Sequence, residues 1–395
     1  MVADSLDGRQ RWWLATVIFL ALPPQWALGD LPVRFTQTER TMILSHGPWP
    51  TADQPDSSNR FSGEEGAIAF GRELFSDPRL SLDERMSCAT CHQTQQAMTD
   101  GLALAMGRRQ LDRNTPPIAN LQSRRWYGWD GRSDSLWAQS IHPVLNDDEL
   151  AMTSMTLARK FARTPELADR YQQVTGRPVS QEDAQTVLVN VSKILAAWQE
   201  TLKTPTTDFD RFRDAMAAGK DLPESLFSRS ARRGLKLFVG DGRCSLCHFG
   251  PRFTNDEFHH VGLPHFTWQE KVDPGRHGGI ETYRSNPYSR FGEFSDQPAE
   301  SAARSAGIFL VLSHEDWGRF RVPSLRNVSA TAPYMHDGSL PDLPAVIRHY
   351  SEMDRDRLHS AGESLLRPLN LTQGEASDLE AFLRTLSGDP EPLLP

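Results

Sequence analysis

The chain has only four cysteines in 395 residues, no long run of one charge sign, and no extended apolar stretch beyond residue 22. So few cysteines exclude a disulfide-dense scaffold. The missing basic stripe, with a formal charge of −8, excludes a nucleic-acid binder, because nothing would neutralise phosphates. A small basic protein partner suits such a surface better. Without a second apolar run, stable membrane insertion is not expected. What remains is an ordinary globular composition, 38% hydrophobic and 24% charged, in a chain long enough for two or three domains.

The first 29 residues stand apart. Arg9 and Arg11 precede the apolar run "WWLATVIFLAL" (12–22), and the small residues Ala27 and Gly29 fit a cleavage site before Asp30. This is the pattern of a signal peptide over 1–29, which predicts export to the periplasm. An N-terminal extension, 30–59, follows.

All four cysteines fall in two copies of Cys-x-x-Cys-His: Cys88, Cys91 and His92, then Cys244, Cys247 and His248. Zinc sites place their cysteine pairs about 15 to 20 residues apart, whereas Cys91 and Cys244 are 153 positions apart. The spacing instead suits two c-type haems. Each cysteine pair would form thioethers to the haem, and His92 and His248 would be the proximal iron ligands.

The chain also repeats itself. "GRELF" (71–75) leads into the first motif and "GLKLF" (234–238) into the second. Pro116 and Pro323, Asn120 and Asn327, Asp130 and Asp337, Gly131 and Gly338, and Leu136 and Leu343 all pair at one offset, 207. Such self-similarity implies duplicated units. The expected fold is mainly α, with two cytochrome c-like haem domains at 60–215 and 216–395. Helical apolar spacing marks 63–75, 155–174, 180–203, 225–238, 341–351 and 372–386. The Gly-, Pro- and His-rich segment 259–297 reads as a long excursion within the second domain.

An iron that only moves electrons has both axial positions filled, whereas peroxide chemistry needs one open. In the second copy Met335, Tyr350 and Met353 could each fill it; the offset takes them to Gly128, Pro143 and Asn146. None of these is a good ligand, and proline cannot be one. The His92 haem is therefore expected to be open and reactive, which argues against a plain di-haem electron carrier. Gln139 lies one helical turn before Pro143, and Glu149 offers a carboxylate to move peroxide protons. Trp129 takes the slot that His336 holds in the other copy. His142 is the one imidazole beside this site, and Pro143 disfavours helix at the residue before it.

These motifs, with "WDGRSDSLWAQSIHP", "VPSLRNVSATAPYMHDGSL" and "AVIRHY", resemble the bacterial di-haem cytochrome c peroxidases, MauG-like branch, over about residues 60 to 390. The resemblance implies a high-spin peroxidatic haem on His92, with Gln139, Pro143 and Glu149 on its distal side and Trp129 as relay between the haems. It implies a low-spin haem on His248 with Tyr350 as sixth ligand, and a calcium ion on Asn114 and the carbonyls of Thr331 and Pro333. Hydrogen peroxide would be the substrate. Electrons would come from a small c-type cytochrome or cupredoxin, or from Trp or Tyr side chains of a protein substrate. Two departures matter. Residues 93–141 lack the histidine that caps the resting iron in simple peroxidases, so no reductive activation is expected. Gly242 stands where MauG carries a tryptophan, which argues against MauG's own substrate, a methylamine dehydrogenase precursor.

Overall fold

The computed structural model describes residues 32–52, 54–263, 271–297, 310–353 and 366–388. The expected signal peptide lies outside them. Residues 32–34 carry no regular structure, and from Phe35 onward the chain forms one unit. Its helices are α1 (Gln37–Leu44), α2 (Glu65–Phe75), α3 (Cys88–Cys91), α4 (Leu136–Leu145), α5 (Ser154–Arg163) and α6 (Pro165–Thr175). There follow α7 (Ala184–Gln199), α8 (Asp208–Ala217), α9 (Arg229–Val239), α10 (Arg276–Ser285), α11 (Leu343–Ser351) and α12 (Gln373–Arg384). Strand β1 (Phe258–His259) pairs antiparallel with β2 (Phe320–Arg321), with Phe258 opposite Arg321. The fold is mainly α, as expected.

Helices begin where a polar side chain can take up free backbone N–H groups. Ser135 caps α4, Asp183 caps α7, Ser228 caps α9 and Asp342 caps α11, while Thr372 and Glu375 close a capping box on α12. Two hydrophobic cores result. In the first, α7 is the spine, with 13 of its 16 residues buried, and α2, α4 and α5 pack around it. In the second, α9 packs on α12 with Phe238, Phe253 and Phe382 between them, and α1 and α8 add Ile43 and Phe209. The leading glycines of "GRELF" and "GLKLF" have the same physical reason. A Cβ on Gly71 would overlap the Ile194 carbonyl of α7, and one on Gly234 the Asp378 carbonyl of α12.

The 207-residue offset extends to the backbone. Asn120 and Asn327 have φ of 62° and 60°, Gly128 and Met335 79° and 77°, and Gly131 and Gly338 67° and 61°. The bridge Tyr127–Ser133 recurs as Tyr334–Leu340, and α4 and α11 start at Leu136 and Leu343. Matched local geometry at one spacing supports the reading of an internal duplication.

Three expectations need correction. The single helix expected over 155–174 is two, because Thr164, held extended (φ −106°, ψ 102°) before Pro165, ends one and caps the next. His142 is helical despite Pro143: α4 runs through the proline, held by Trp137, Ile141 and Val144 buried in the first core. The segment 259–297 is no excursion within the second half. It contains α10, and its end docks on the first core, where Asp296 takes Lys193 Nζ at 2.5 Å and Tyr288 is buried. Buried Asp134 meanwhile accepts from Tyr283, Ser289 and the Arg290 N–H.

Candidate functional site

Ser87 and Thr90 form a capping box around the short turn α3, which presents Cys88, Cys91 and His92 together. No disulfide joins the four cysteines, which leaves both pairs free to bond a cofactor. Burial, followed by the charge of Glu149, pushes the Cys88 thiol up to about 12. Such a thiol stays protonated.

The His92 Nδ1 lies 3.0 Å from the Met98 carbonyl, and the His248 Nδ1 lies 3.0 Å from the Phe253 carbonyl. A carbonyl can only accept, so in both rings Nδ1 carries the proton and Nε2 keeps the lone pair for a metal. Met98 and Phe253 both sit at positive φ, 65° and 54°, in the tight turns that aim these carbonyls back at the rings. Burial lowers the pKa of both histidines, to about 4 for His248, which keeps the imidazoles neutral as ligation requires.

Cys88, Cys91 and His92 open onto a cavity of about 540 Å³, also lined by Asn114, Trp129, Gln139, Pro143 and Glu149. Residues up to 61 positions apart (88 to 149) thus line one cavity, and the size suits a large cofactor. The Gln139 Oε1 is buried without a hydrogen-bond partner, an acceptor held ready for something in the cavity. Both observations fit a haem held by Cys88, Cys91 and His92.

Glu149 is not a helix-start residue. It lies in the turn after α4, while α5 is capped by Thr153. The Asn146 Nδ2 donates to Glu149 Oε1 at 2.8 Å. Burial raises the Glu149 pKa, against the pull of Asn146 and Arg132. A raised carboxyl so placed holds its proton more readily than an exposed glutamate, as a group that must both take and return a proton requires. His142 lines the same cavity, with Nε2 3.5 Å from the Asn286 amide, and burial, then Arg132, lowers its pKa to about 4.

Trp129 and its repeat partner His336 meet across one residue. The Trp129 indole donates to the Asn114 carbonyl at 2.9 Å, and the Asn114 N–H donates to the His336 carbonyl at 2.8 Å. His336 stacks on Phe320 at 3.5 Å, and the Trp129 carbonyl accepts from Arg321 N. Trp129 therefore stands at the seam between the halves. Thr331 closes a short turn on the Val328 carbonyl, ahead of Pro333. Among the described residues no hydrogen bond joins either to Asn114.

On the second side, Tyr350 lies in α11. Burial raises its phenol pKa, and the Cys244 and Cys247 sulfurs, within electrostatic reach, push it further the same way. The phenol is thus brought to the second Cys-x-x-Cys-His motif.

Sequence reasoning passed over several residues here. The Met98 and Phe253 carbonyls act through backbone, which no side-chain pattern reveals. Asn146 was considered only as a failed ligand. Arg132, bonded to Asp130 at 2.6 Å, sets the local charge; burial raises the Asp130 carboxyl, but Arg132 and Arg113 outweigh it and hold it well below the usual range. "DGR" beside Trp129 was the available signal.

A family model described as di-haem cytochrome c peroxidase matches residues 65–218. The methylamine utilization protein MauG of Methylorubrum extorquens is 34% identical over 327 residues, covering 82% of this chain and 78% of that protein. The cytochrome c551 peroxidase of Nitrosomonas europaea is 28% identical over 333 residues, 82% of each. Among solved structures, a MauG-like protein associated with microbial copper homeostasis matches with a TM-score of 0.65 at 25% identity, over 87% of this chain and 96% of that one.

Proposed function

This chain belongs to the di-haem cytochrome c peroxidase family, and from that premise we propose an exported enzyme that reduces hydrogen peroxide in the His92 cavity, drawing electrons through the His248 site from a small c-type cytochrome or cupredoxin. The observation that carries the reading is one cavity lined by Cys88, Cys91 and His92 and also by Gln139, Pro143 and Glu149, where the residue equivalent to Tyr350 is a proline. Family membership implies two c-type haems, which Cys88, Cys91 and His92, and Cys244, Cys247 and His248, would hold.

When bound, the haem at His92 supplies the iron whose open position peroxide needs. Pro143 keeps that position clear, having no atom that can ligate. Gln139 Oε1 accepts a hydrogen bond from peroxide and orients it. Glu149 is placed to take the proton from one peroxide oxygen and return it to the other, which departs as water; the oxygen left behind would become a second water on taking two electrons from the donor and two protons from solvent. Asn146 holds the carboxylate for this transfer. Trp129, bonded to Asn114 in its own half and to Arg321 across the seam, relays electrons between the two sites. Calcium on Asn114 with the Thr331 and Pro333 carbonyls belongs to the same proposal, as does export directed by residues 1–29.

Rapid mixing of the fully oxidised protein with peroxide tests this reading. The haem spectrum changes at once, without prior reduction; no change until an electron is added overturns the open site. A second reading, a maturation enzyme that oxidises Trp or Tyr side chains of a partner protein, is supported by Tyr350 at the second site and by the MauG likeness. Peroxide consumption that is driven by a reduced small cytochrome favours the first reading. Consumption only in the presence of a protein whose aromatic side chains become modified favours the second.

A further inference from the structure

Two groups of arginines here are balanced by carboxylates. Arg326 faces Asp210 one to one, through two bonds of 2.9 Å. Arg113 and Arg132 share Asp130 and Asp273, with closest bonds of 2.6 to 2.8 Å. A third group is not balanced. Arg124, Arg252 and Arg321 converge on the single carboxylate of Asp256, at 3.3, 3.3 and 3.2 Å. These distances exceed the roughly 2.7–2.9 Å of a good charge-assisted bond. Among the described residues, three positive charges on one negative leave a surplus of two; the Arg124 and Arg321 side chains are only 3% and 7% exposed, and that of Arg252 24%. The remaining donors reach backbone carbonyls, Arg321 to Gly128, Arg252 to Gln122 and Arg124 to Asn120. Those oxygens satisfy hydrogen bonds but carry no net charge.

Burying charge without counter-charge is expensive, several kcal/mol per ion even after relaxation. The missing anions should therefore arrive with whatever fills the neighbouring space. Arg321 lines the His92 cavity, and Arg124 and Arg321 line a small void beside Trp129. Arg252 and Asp256 follow His248 by four and eight residues, on the loop of the second motif. The surplus thus lies at the seam between the two sites. A c-type haem is tied to its cysteines by its former vinyl groups and carries two free carboxylates besides, the class of anion this cluster lacks.

Resting on the di-haem reading above, we infer that Arg124, Arg252 and Arg321, gathered around Asp256, form a carboxylate-binding site for haem propionates, with Arg321 serving the haem held by Cys88 and Cys91. A guanidinium presents a planar fork that matches a carboxylate, so lysine is not an equivalent here. These are positioning residues. They touch the cofactor's edge and set its electrostatic surroundings, and they take no part in proton transfer.

The test uses the full di-haem protein, made in a host with haem-attachment machinery and with ¹³C-labelled haem carboxylates. Intact mass comes first: fewer than two haems refutes the di-haem reading itself, separately from this inference. With both haems present, redox-difference infrared spectra of Arg321→Gln and Arg124→Met should show shifted labelled carboxylate bands. Removing a positive charge favours the oxidised haem, so the midpoint potential of the haem served should fall. The haem whose potential falls identifies whose carboxylate is held; a fall confined to the His248 haem in Arg321→Gln overturns the assignment of Arg321. Arg321→Lys, which keeps the charge and loses the fork, should shift the bands with a smaller change in potential, and it serves if either other variant fails to fold. Unshifted labelled bands in protein that retains both haems overturn the site.

Discussion

Helices α4 and α11 start 207 residues apart, each after a polar cap and a left-handed glycine turn, and they fill one equivalent position in opposite ways. In α4 it is Pro143, on the wall of the His92 cavity and unable to ligate. In α11 it is Tyr350, its phenol buried near Cys244 and Cys247. Matched backbone turns thus lead into two helices, and on the proposed reading Pro143 leaves one site open while Tyr350 closes the other. Around Pro143, Gln139 keeps an acceptor without a hydrogen-bond partner, and Glu149 lies in the turn after α4, bonded to Asn146.

Exchanging the contrasting residues should break the comparison most severely. Pro143→Tyr places a phenol in the open position, and rapid mixing should then show the reaction with peroxide lost while both haems are retained by mass. Tyr350→Phe removes the proposed ligand of the other site, so electron paramagnetic resonance of the oxidised protein should lose its low-spin signal. If the signal persists and instead vanishes on substituting Met335 or Met353, the ligand is one of those methionines.

Glu149→Gln should leave both sites assembled and slow the peroxide reaction by about a hundredfold, the usual loss for a positioned acid or base. Asn146→Ala acts more gently. The lost hydrogen bond had stabilised the carboxylate, so the Glu149 pKa, already raised by burial, rises further. The limb of the pH–rate profile that needs ionised Glu149 should move to higher pH, and a profile that stays in place would separate Asn146 from the proton transfer.

The smallest effects test the shared scaffold. Ser135→Ala and Asp342→Ala remove equivalent caps, whose side chains accept from the Ala138 and Ala345 N–H groups. Each should cost about 1 kcal/mol in denaturant unfolding. A markedly unequal pair would mean that α4 and α11 no longer bear equivalent loads.

Much of the site was legible because its information is local or periodic. Two Cys-x-x-Cys-His motifs state their chemistry within five residues. The constant offset exposed Pro143 as the odd member of a pair, since residues in equivalent folds can be compared without knowing the fold. Helix α4 was less legible: its proline obscured the apolar spacing of Leu136, Trp137, Ile141 and Val144, and packing in the first core overrode the local penalty. The segment 259–297 was misplaced for a related reason. Its Gly- and Pro-rich composition says that the chain turns, and says nothing about which core it turns toward.

The sequence alone determined the residues that can bond to a cofactor, the repeat that relates them, and the positions where the copies differ in ligating power, because these depend on residue type and spacing. The tertiary structure decided which groups share a space. It gathered Gln139, Glu149 and His92 around one cavity, turned the Met98 and Phe253 carbonyls onto two imidazoles, and crowded three arginines around Asp256. Burial then set their protonation and their charge balance, for a side chain's pKa and its need of a partner depend on its distance from water and from other charges, which spacing along a chain does not encode.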